Sequence, residues 1–331
     1  MTDHSYDPTS AAQAIRQGDR RALARAITLI ESARADHRAQ ALALLAALGQ
    51  DRQALRLGLS GTPGVGKSTF IEAFGMMLVG AGLRVAVLAV DPSSARSGGS
   101  ILGDKTRMEH LSRHPSAFIR PSPSQAQMGG VARRTREAVA LCESAGYDII
   151  LIETVGVGQS ETMVADLCDI FVLLMAPAGG DELQGVKRGI MEMADLILVN
   201  KADGDLLAAA NRTMADYAGA LRLLRRRPQD PDGLPKALCV SAVSGKGLDD
   251  AWAEIQSLAQ WRRDHGHWSR RRAEQSAHWF AEEVRRGLLS VLDHEPARGI
   301  MAHLAAEVAA GRQSPEAAAT AMLDRLGRAP L

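Results

Sequence analysis

From residue 51 to residue 258, short and almost continuously apolar segments alternate with longer amphipathic stretches. The apolar segments have the length of β-strands, and the stretches between them repeat apolar residues at helical spacing. Strands that are apolar on both faces are typical of a parallel sheet covered by helices on each side. The sequence therefore predicts an α/β fold with a doubly wound, mostly parallel sheet. The predicted strands are LRLGLS (55–60), RVAVLAVD (84–91), DIILIETVG (148–156), DIFVLLMAP (169–177), ADLILVNK (194–201) and KALCVSAV (236–243).

Both ends of the chain show helical periodicity without strands. Residues 8–48 have apolar positions spaced as in two amphipathic helices, and the residues after 258 look wholly helical. Near the end of the chain, Ser314 and Pro315 match the N-cap and first-turn preferences of a helix start. The predicted division is an N-terminal helical extension (1–50), a central P-loop domain (51–258) and a C-terminal helical arm (259–331).

The first predicted strand runs directly into GTPGVGKST (61–69), which fits the P-loop pattern G-x-x-x-x-G-K-[ST]. Glycines in such a loop let backbone N–H groups point at phosphate oxygens, and the following helix N-terminus adds its dipole. Lys67 supplies a positive charge, and the Ser68 hydroxyl is placed to bind Mg²⁺. The chain is thus a predicted P-loop NTPase. The predicted phosphate-binding residues are Gly64, Val65, Gly66, Lys67, Ser68 and Thr69.

A second motif predicts the base. Asn200, Lys201 and Asp203 form an N-K-x-D sequence at the end of a strand. The Asp203 carboxylate can accept hydrogen bonds from N1–H and the amino group of guanine, whereas adenine offers no matching pair of donors. Ser241 and Ala242 end the last strand, where we expect a backbone contact to the guanine oxygen. The predicted ligands are therefore GTP and GDP.

Acidic residues that suit Mg²⁺ and γ-phosphate chemistry follow the strands or lie in polar loops. Asp91 and Glu153 stand at strand ends, and Asp104 lies in the glycine- and serine-rich segment 92–108. The backbone N–H of Gly156 is a candidate sensor of the γ-phosphate. No glutamine follows Gly156 directly, so we expect slow intrinsic hydrolysis that awaits a partner.

Composition excludes several classes of protein. The 331 residues carry a net charge of +1, which argues against nucleic-acid binding. No apolar stretch is long enough to span a membrane, and the N-terminus lacks a signal core, so we expect a cytoplasmic protein. Cys142, Cys168 and Cys239 are widely separated, which disfavours disulfides and a cysteine metal site. We interpret His265 and His267 as part of a surface turn rather than as metal ligands.

The chain resembles the methylmalonyl-CoA mutase-associated GTPases, the ArgK/MeaB family, over residues 10–290. The segments that carry the resemblance are GTPGVGKST, AVDPSS, GGSILGDKTRM, ETVGVGQSE, PAGGDELQGVKRGIMEMADLILVNKAD and SAVSGKGLDD. The resemblance implies a GTPase that binds an adenosylcobalamin-dependent acyl-CoA mutase. It also implies that GTP gates cofactor delivery and the removal of damaged cofactor, and that the chain forms a homodimer through its C-terminal helices.

The resemblance also assigns roles to single residues. It places Lys67 on the phosphate position and Ser68 on the magnesium position. It places Asp91, Asp104 and Glu153 on acidic positions that bind Mg²⁺ and order water. It makes 177–187 a further switch segment that couples nucleotide state to the mutase. The coupling residues in this segment are Asp181, Glu182, Gln184 and Lys187.

Two alternatives remain open. A nickel-delivery GTPase for urease or hydrogenase would need histidine or cysteine ligands, and the chain has no histidine-rich tract or cysteine metal motif. An ATP-using kinase linked to amino-acid transport would conflict with the guanine motif and would release a phosphorylated product. The sequence also leaves open which acyl-CoA mutase is the client.

Overall fold

The computed structural model of this chain describes residues 6–49, 51–90, 108–121, 128–154, 160–177, 188–224 and 227–328. Its strands are β1 (Leu55–Ser60), β2 (Val85–Val90), β3 (Ala117–Arg120), β4 (Ile149–Thr154), β5 (Ile170–Met175), β6 (Leu196–Val199) and β7 (Lys236–Cys239). They form one sheet in the order β3-β2-β4-β1-β5-β6-β7, and every neighbouring pair is parallel.

Helices separate the strands and extend both ends of the chain. They are α1 (Pro8–Arg16), α2 (Arg20–Glu31), α3 (Ala35–Leu48), α4 (Lys67–Gly80), α5 (Glu109–Arg113), α6 (Met128–Ser144), α7 (Ser160–Leu167), α8 (Arg188–Met193), α9 (Leu207–Arg222), α10 (Leu248–Asp264), α11 (His267–Val291), α12 (Ala297–Ala309) and α13 (Pro315–Arg328). Within these helices we find no segment with the length and hydropathy needed to cross a bilayer.

Strand β1 lies in the middle of the sheet, between β4 and β5. The chain passes from β1 to β2 on one side of it and later crosses from β4 to β5 on the other side. Such a reversal opens a crevice at the carboxyl ends of the strands, where open α/β sheets bind ligands. The predicted doubly wound fold is confirmed, and its geometry places the P-loop that follows β1 at this crevice.

The two faces of β1 contact different helices because successive strand residues point to opposite sides of the sheet. Leu57 and Leu59 belong to one buried apolar cluster with α4 and α10. Gly58 faces α7 instead, and a methyl group added there would lie 2.9 Å from Val164 Cγ1. The glycine thus lets α7 pack closely on the strand that leads into the P-loop.

All six predicted strands are present, and the structure adds β3, which we did not predict. Its four residues, AFIR, pair with β2 at the edge of the sheet. An edge strand has only one neighbouring strand, and the last two residues of β3 are only partly buried. The segment therefore lacks the long apolar run that identifies the other strands in the sequence.

The N-terminal extension contains three helices rather than the predicted two. Gly18, with a φ of 80°, ends the first segment, and the Asp19 side chain caps the next helix through the backbone N–H groups of Arg21 and Ala22. Helices α2 and α3 pack against α6, and Arg38 forms an ion pair of 2.6 Å with the buried Glu137. These helices therefore cover one face of the α/β layer.

A buried ionic cluster lies at the amino edge of the sheet, where β5 and β6 begin. Asp195 accepts from Arg262 at 2.6 Å and from Arg227 at 2.9 Å, and from the backbone N–H of Phe171 at 2.8 Å. Burial alone would raise the pKa of Asp195, but the two guanidinium groups and these hydrogen bonds hold it below its ordinary value. The cluster thus ties α10 to the sheet.

Contacts divide the chain into two compact units, residues 1–269 and 270–331. In the second unit, α12 and α13 pack through a small apolar cluster that contains Leu304 and Met322. Ser314 Oγ accepts from the backbone N–H of Ala317 at 3.2 Å, as expected of an N-cap. The division into 1–50, 51–258 and 259–331 stays a prediction.

We predict that Arg262→Met lowers the free energy of unfolding by about 3–5 kcal/mol, because it leaves the carboxylate of Asp195 buried without its main partner. Arg34→Met is the matched control, since Arg34 pairs with Asp36 on the surface with side-chain exposures of 68% and 54%. We expect that control to change the free energy by less than about 0.5 kcal/mol. Urea denaturation at pH 7 measures both. Equal effects of the two substitutions would contradict a stabilising role for the cluster.

Candidate functional site

The P-loop connects the end of β1 at Ser60 to the start of α4 at Lys67. Gly64 and Gly66 both have a φ of 87°, in the left-handed region that favours glycine. A methyl group added at Gly66 would lie 2.9 Å from Asn200 Nδ2. The two glycines of the motif thus meet a conformational requirement, and Gly66 meets a steric one as well.

Lys67 lies at the first position of α4 with its side chain turned back towards the loop. Its Nζ donates to the carbonyl oxygen of Gly61 at 2.5 Å and approaches that of Thr62 at 3.5 Å. Burial lowers the pKa of the ammonium, while the negative charges of Glu153 and Glu161 act in the opposite direction. The lysine is therefore a partly desolvated positive charge held beside the P-loop backbone.

The end of β4 brings polar side chains next to the P-loop strand. Glu153, which is 4% exposed, stands opposite Leu59 of β1 in the parallel register. The next residue, Thr154, donates from Oγ1 to Ser60 Oγ at 3.1 Å. This buried contact fixes the end of β4 to the residue that enters the P-loop.

Two of the predicted magnesium ligands belong to this part of the site. The hydroxyl of Ser68, in the first turn of α4, and the carboxylate of Glu153 are hard oxygen donors, which suit Mg²⁺. Asp91 and Asp104 lie outside the described residues, and among the residues that are described no three His, Cys, Asp or Glu side chains group as a metal site. The two described oxygen donors, Ser68 and Glu153, therefore fit Mg²⁺.

Asn200 joins three segments of the site. It is 1% exposed at the end of β6, and its Nδ2 donates to the carbonyl of Val65 in the P-loop at 2.9 Å. Its Oδ1 accepts from the backbone N–H of Ala242, after β7, at 3.1 Å. Lys201 adds a second connection, because its Nζ donates to the carbonyl of Gly64 at 2.7 Å. The N-K-x-D motif thus holds the P-loop in place through its first two residues.

Asp203 is held by the loop that follows β7. The hydroxyl of Ser241 donates to its carboxylate, and the same hydroxyl oxygen accepts from the backbone N–H of Ser244 at 3.1 Å. Ser241 thus orients the carboxylate that we predict to bind guanine. The N–H of Ala242 donates to Asn200 Oδ1, so its predicted contact with the guanine oxygen stays a prediction.

The structure brings many of the predicted site residues to one edge of the sheet. These are Gly64, Val65, Gly66, Lys67, Ser68, Thr69, Glu153, Asn200, Lys201, Asp203, Ser241 and Ala242. The other predicted site residues lie outside the described ranges. They are Asp91, Asp104, Gly156, Asp181, Glu182, Gln184 and Lys187.

Three buried polar residues at this edge escaped the sequence analysis: Ser60, Thr154 and Glu161. Ser60 and Thr154 each end an apolar strand, and that position is the signal that points to a functional edge. Glu161 has no such signal. An acidic residue in the first turn of a helix is ordinarily exposed to solvent and interacts favourably with the helix dipole.

Comparison with known proteins identifies relatives along most of the chain. The model of the family described as "Methylmalonyl Co-A mutase-associated GTPase MeaB" matches residues 23–297. A "Putative GTPase" of Caulobacter vibrioides is 53% identical over 310 residues, which cover 93% of each protein. The "Methylmalonic aciduria type A homolog, mitochondrial" of Mus musculus is 48% identical over 319 residues, which cover 93% of this chain and 76% of the mouse protein.

A solved structure confirms that the architecture is shared. The crystal structure of a protein named "LAO/AO transport system kinase" has a TM-score of 0.75 to this chain and 36% sequence identity. The match covers 99% of this chain and 100% of that one. The likeness therefore includes the N-terminal and C-terminal helices as well as the sheet.

We predict that Asn200→Ala lowers the affinity for GDP by on the order of tenfold and the free energy of unfolding by about 1–3 kcal/mol. The cause is that the buried carbonyl of Val65 and the N–H of Ala242 both lose their partner. The control is Asn211→Ala, an exposed residue of α9 that contacts Cys239 Sγ at 3.5 Å. Calorimetric titration with GDP and urea denaturation measure the two effects. An Asn200→Ala protein with the affinity and stability of the control would contradict the bridging role.

Proposed function

This chain belongs to the family of methylmalonyl-CoA mutase-associated GTPases, and we propose that its GTP hydrolysis controls an adenosylcobalamin-dependent acyl-CoA mutase. The family match confirms the predicted resemblance and makes the chain a P-loop GTP hydrolase that binds guanine nucleotides. The observation that carries the proposal is the match to this family along residues 23–297. In this proposal methylmalonyl-CoA mutase is the first candidate client, and the GTPase gates cofactor loading and protects or reactivates the enzyme.

The chain's own residues supply catalysis by position and charge. Lys67 places a positive charge where it can meet phosphate oxygens, and Asp203, oriented by Ser241, accepts hydrogen bonds from guanine. Ser68 and Glu153, together with Asp91 and Asp104, would hold Mg²⁺, which would supply positive charge to neutralise the phosphates. Because catalysis of this kind depends on position, a partner that reorders one loop can change the rate.

The connection to a partner is proposed to run through residues 177–187. The chain enters this segment from β5. The carbonyl oxygen of Leu174 in β5 lies close to Gly61, since a methyl group added at Gly61 would be 2.4 Å from that oxygen. The end of β5 therefore lies beside the first residue of the P-loop, and the proposed coupling segment follows that strand directly in the sequence. In the proposal, Asp181, Glu182, Gln184 and Lys187 carry that response to the mutase.

The homodimer is also a proposal, and it is supported by exposed apolar residues on α11. Phe280, Val284 and Leu288 recur every four residues, with exposures of 71%, 45% and 53%. Residues at this spacing share one face of a helix. A second copy of α11 would cover that face.

A cytoplasmic location stays a prediction.

The alternative of a kinase has one observation in its favour, the name of the solved relative, which is a transport system kinase. That name describes the relative, and the N-K-x-D motif of this chain favours guanine over adenine. Product analysis separates the two functions, because a kinase releases a phosphorylated acceptor and a GTPase releases GDP and phosphate. A nickel-delivery role would instead require stoichiometric nickel binding by the purified protein.

We predict that methylmalonyl-CoA mutase raises the GTP turnover of the purified protein at least several-fold. The physical reason is that the proposed partner aligns a hydrolytic site that is slow alone. Phosphate release is measured with GTP and with ATP, each with and without the mutase. A rise specific to GTP supports the proposal, whereas an unchanged rate would exclude this mutase as the client and leave the GTPase assignment intact.

We further predict that Lys67→Ala abolishes productive GTP binding, whereas Gln184→Ala and Lys187→Ala keep basal hydrolysis but weaken the stimulation by the mutase. Lys67 donates directly to the P-loop, while Gln184 and Lys187 belong to the proposed coupling segment. The same phosphate assay distinguishes these effects. Equal losses of basal activity in all three variants would contradict a separate coupling role.

A further inference from the structure

Glu161 is a buried carboxylate that none of the proposed roles uses. It is 2% exposed and lies in the first turn of α7. That helix packs against β1, β4 and β5, the three central strands of the sheet. Burying an ionisable group costs free energy unless the group forms a compensating interaction. The residues near Glu161 therefore indicate what its carboxylate does.

The direction of α7 places Glu161 beside the P-loop. At the far end of the helix, the backbone N–H of Asp169 donates to the carbonyl of Arg56 near the start of β1, at 2.8 Å. In the middle, Val164 faces Gly58. The helix therefore runs antiparallel to β1. Glu161 precedes Val164 by about 4.5 Å along the helix, which brings it level with the end of β1, where Ser60 leads into Gly61.

This is also where the charge of Lys67 lies. The Lys67 ammonium donates to the carbonyl of Gly61 at 2.5 Å, and both Glu161 and Glu153 interact with it electrostatically. Glu153 has a proposed role with Mg²⁺, whereas Glu161 belongs to α7, which packs on the face of β1 opposite to α4. The lysine therefore has a buried counter-charge that is independent of the proposed metal site.

We propose that Glu161 is a positioning residue that competes with nucleotide phosphates for the ammonium of Lys67 and thereby sets how quickly GDP leaves. The inference rests on the proposed role of Lys67 in phosphate binding. A carboxylate and a phosphate repel each other, and both attract the same ammonium, so Glu161 opposes nucleotide binding on two counts. Its presence keeps the affinity moderate in a protein that has to exchange GDP for GTP.

The test compares GDP binding by the full-length wild-type protein with that of Glu161→Gln and Glu161→Asp. We expect Glu161→Gln, which keeps the shape but removes the charge, to lower the Kd for GDP about tenfold and to slow GDP release. Glu161→Asp keeps the charge and should stay near the wild-type Kd. Calorimetry gives the Kd, and displacement of a fluorescent GDP analogue gives the release rate.

A buried acid elsewhere provides the matched control. Glu143 is 6% exposed and pairs with Arg56 at 2.8 Å, at the amino edge of the sheet. Glu143→Gln should leave the Kd for GDP unchanged, although it should lower stability. Binding is measured both in EDTA and with Mg²⁺, because a carboxylate that held the metal would favour binding only when the metal is present.

The outcomes separate the inference from the function on which it rests. A Kd for Glu161→Gln equal to or above the wild-type value in EDTA overturns the inference, as does a weakening of affinity confined to Mg²⁺. Tighter binding by Glu161→Gln but not by Glu143→Gln supports it. If Lys67→Ala binds GDP as the wild type does, the proposed phosphate site fails, and the inference fails with it.

Discussion

The buried amide of Asn200 is the contact on which the candidate site depends. It donates to the P-loop at Val65 and accepts from Ala242 after β7, so three loops that follow three different strands share one side chain. A buried amide that satisfies two backbone groups is costly to replace, since both would lose their partner. The same hydrogen bonds that define the motif therefore also determine the spacing between the phosphate end and the base end of the crevice.

Charge is distributed over the sheet with a clear division. The amino edge carries ion pairs such as Arg262–Asp195 and Arg56–Glu143, which join helices to the starts of strands. The carboxyl edge carries Lys67 with the buried acids Glu153 and Glu161 near it. The first set is neutralised within the fold and stabilises it. In our proposal, the charges of the second set interact with the negative charge of the nucleotide phosphates, so this set can regulate the affinity for the nucleotide.

Strand β1 connects these two properties. On one face, Leu57 and Leu59 anchor it in the apolar cluster with α4 and α10. On the other, Gly58 admits α7, which carries Glu161 to the level of the P-loop. A side chain at Gly58 would displace the helix, because its first atom would lie 2.9 Å from Val164 Cγ1. Packing in the middle of the strand thus decides which charges surround Lys67 at its end.

The sequence by itself determined the fold class, six of the strands, the P-loop, the guanine motif and the family, because these depend on local periodicity and on motifs with fixed spacing. It did not reveal β3, the break at Gly18 or the role of Asn200 as a bridge. It also did not show that Glu161 is buried near Lys67. Those features arise where segments distant in the chain approach each other, and only the tertiary structure decides which polar groups then share a buried space.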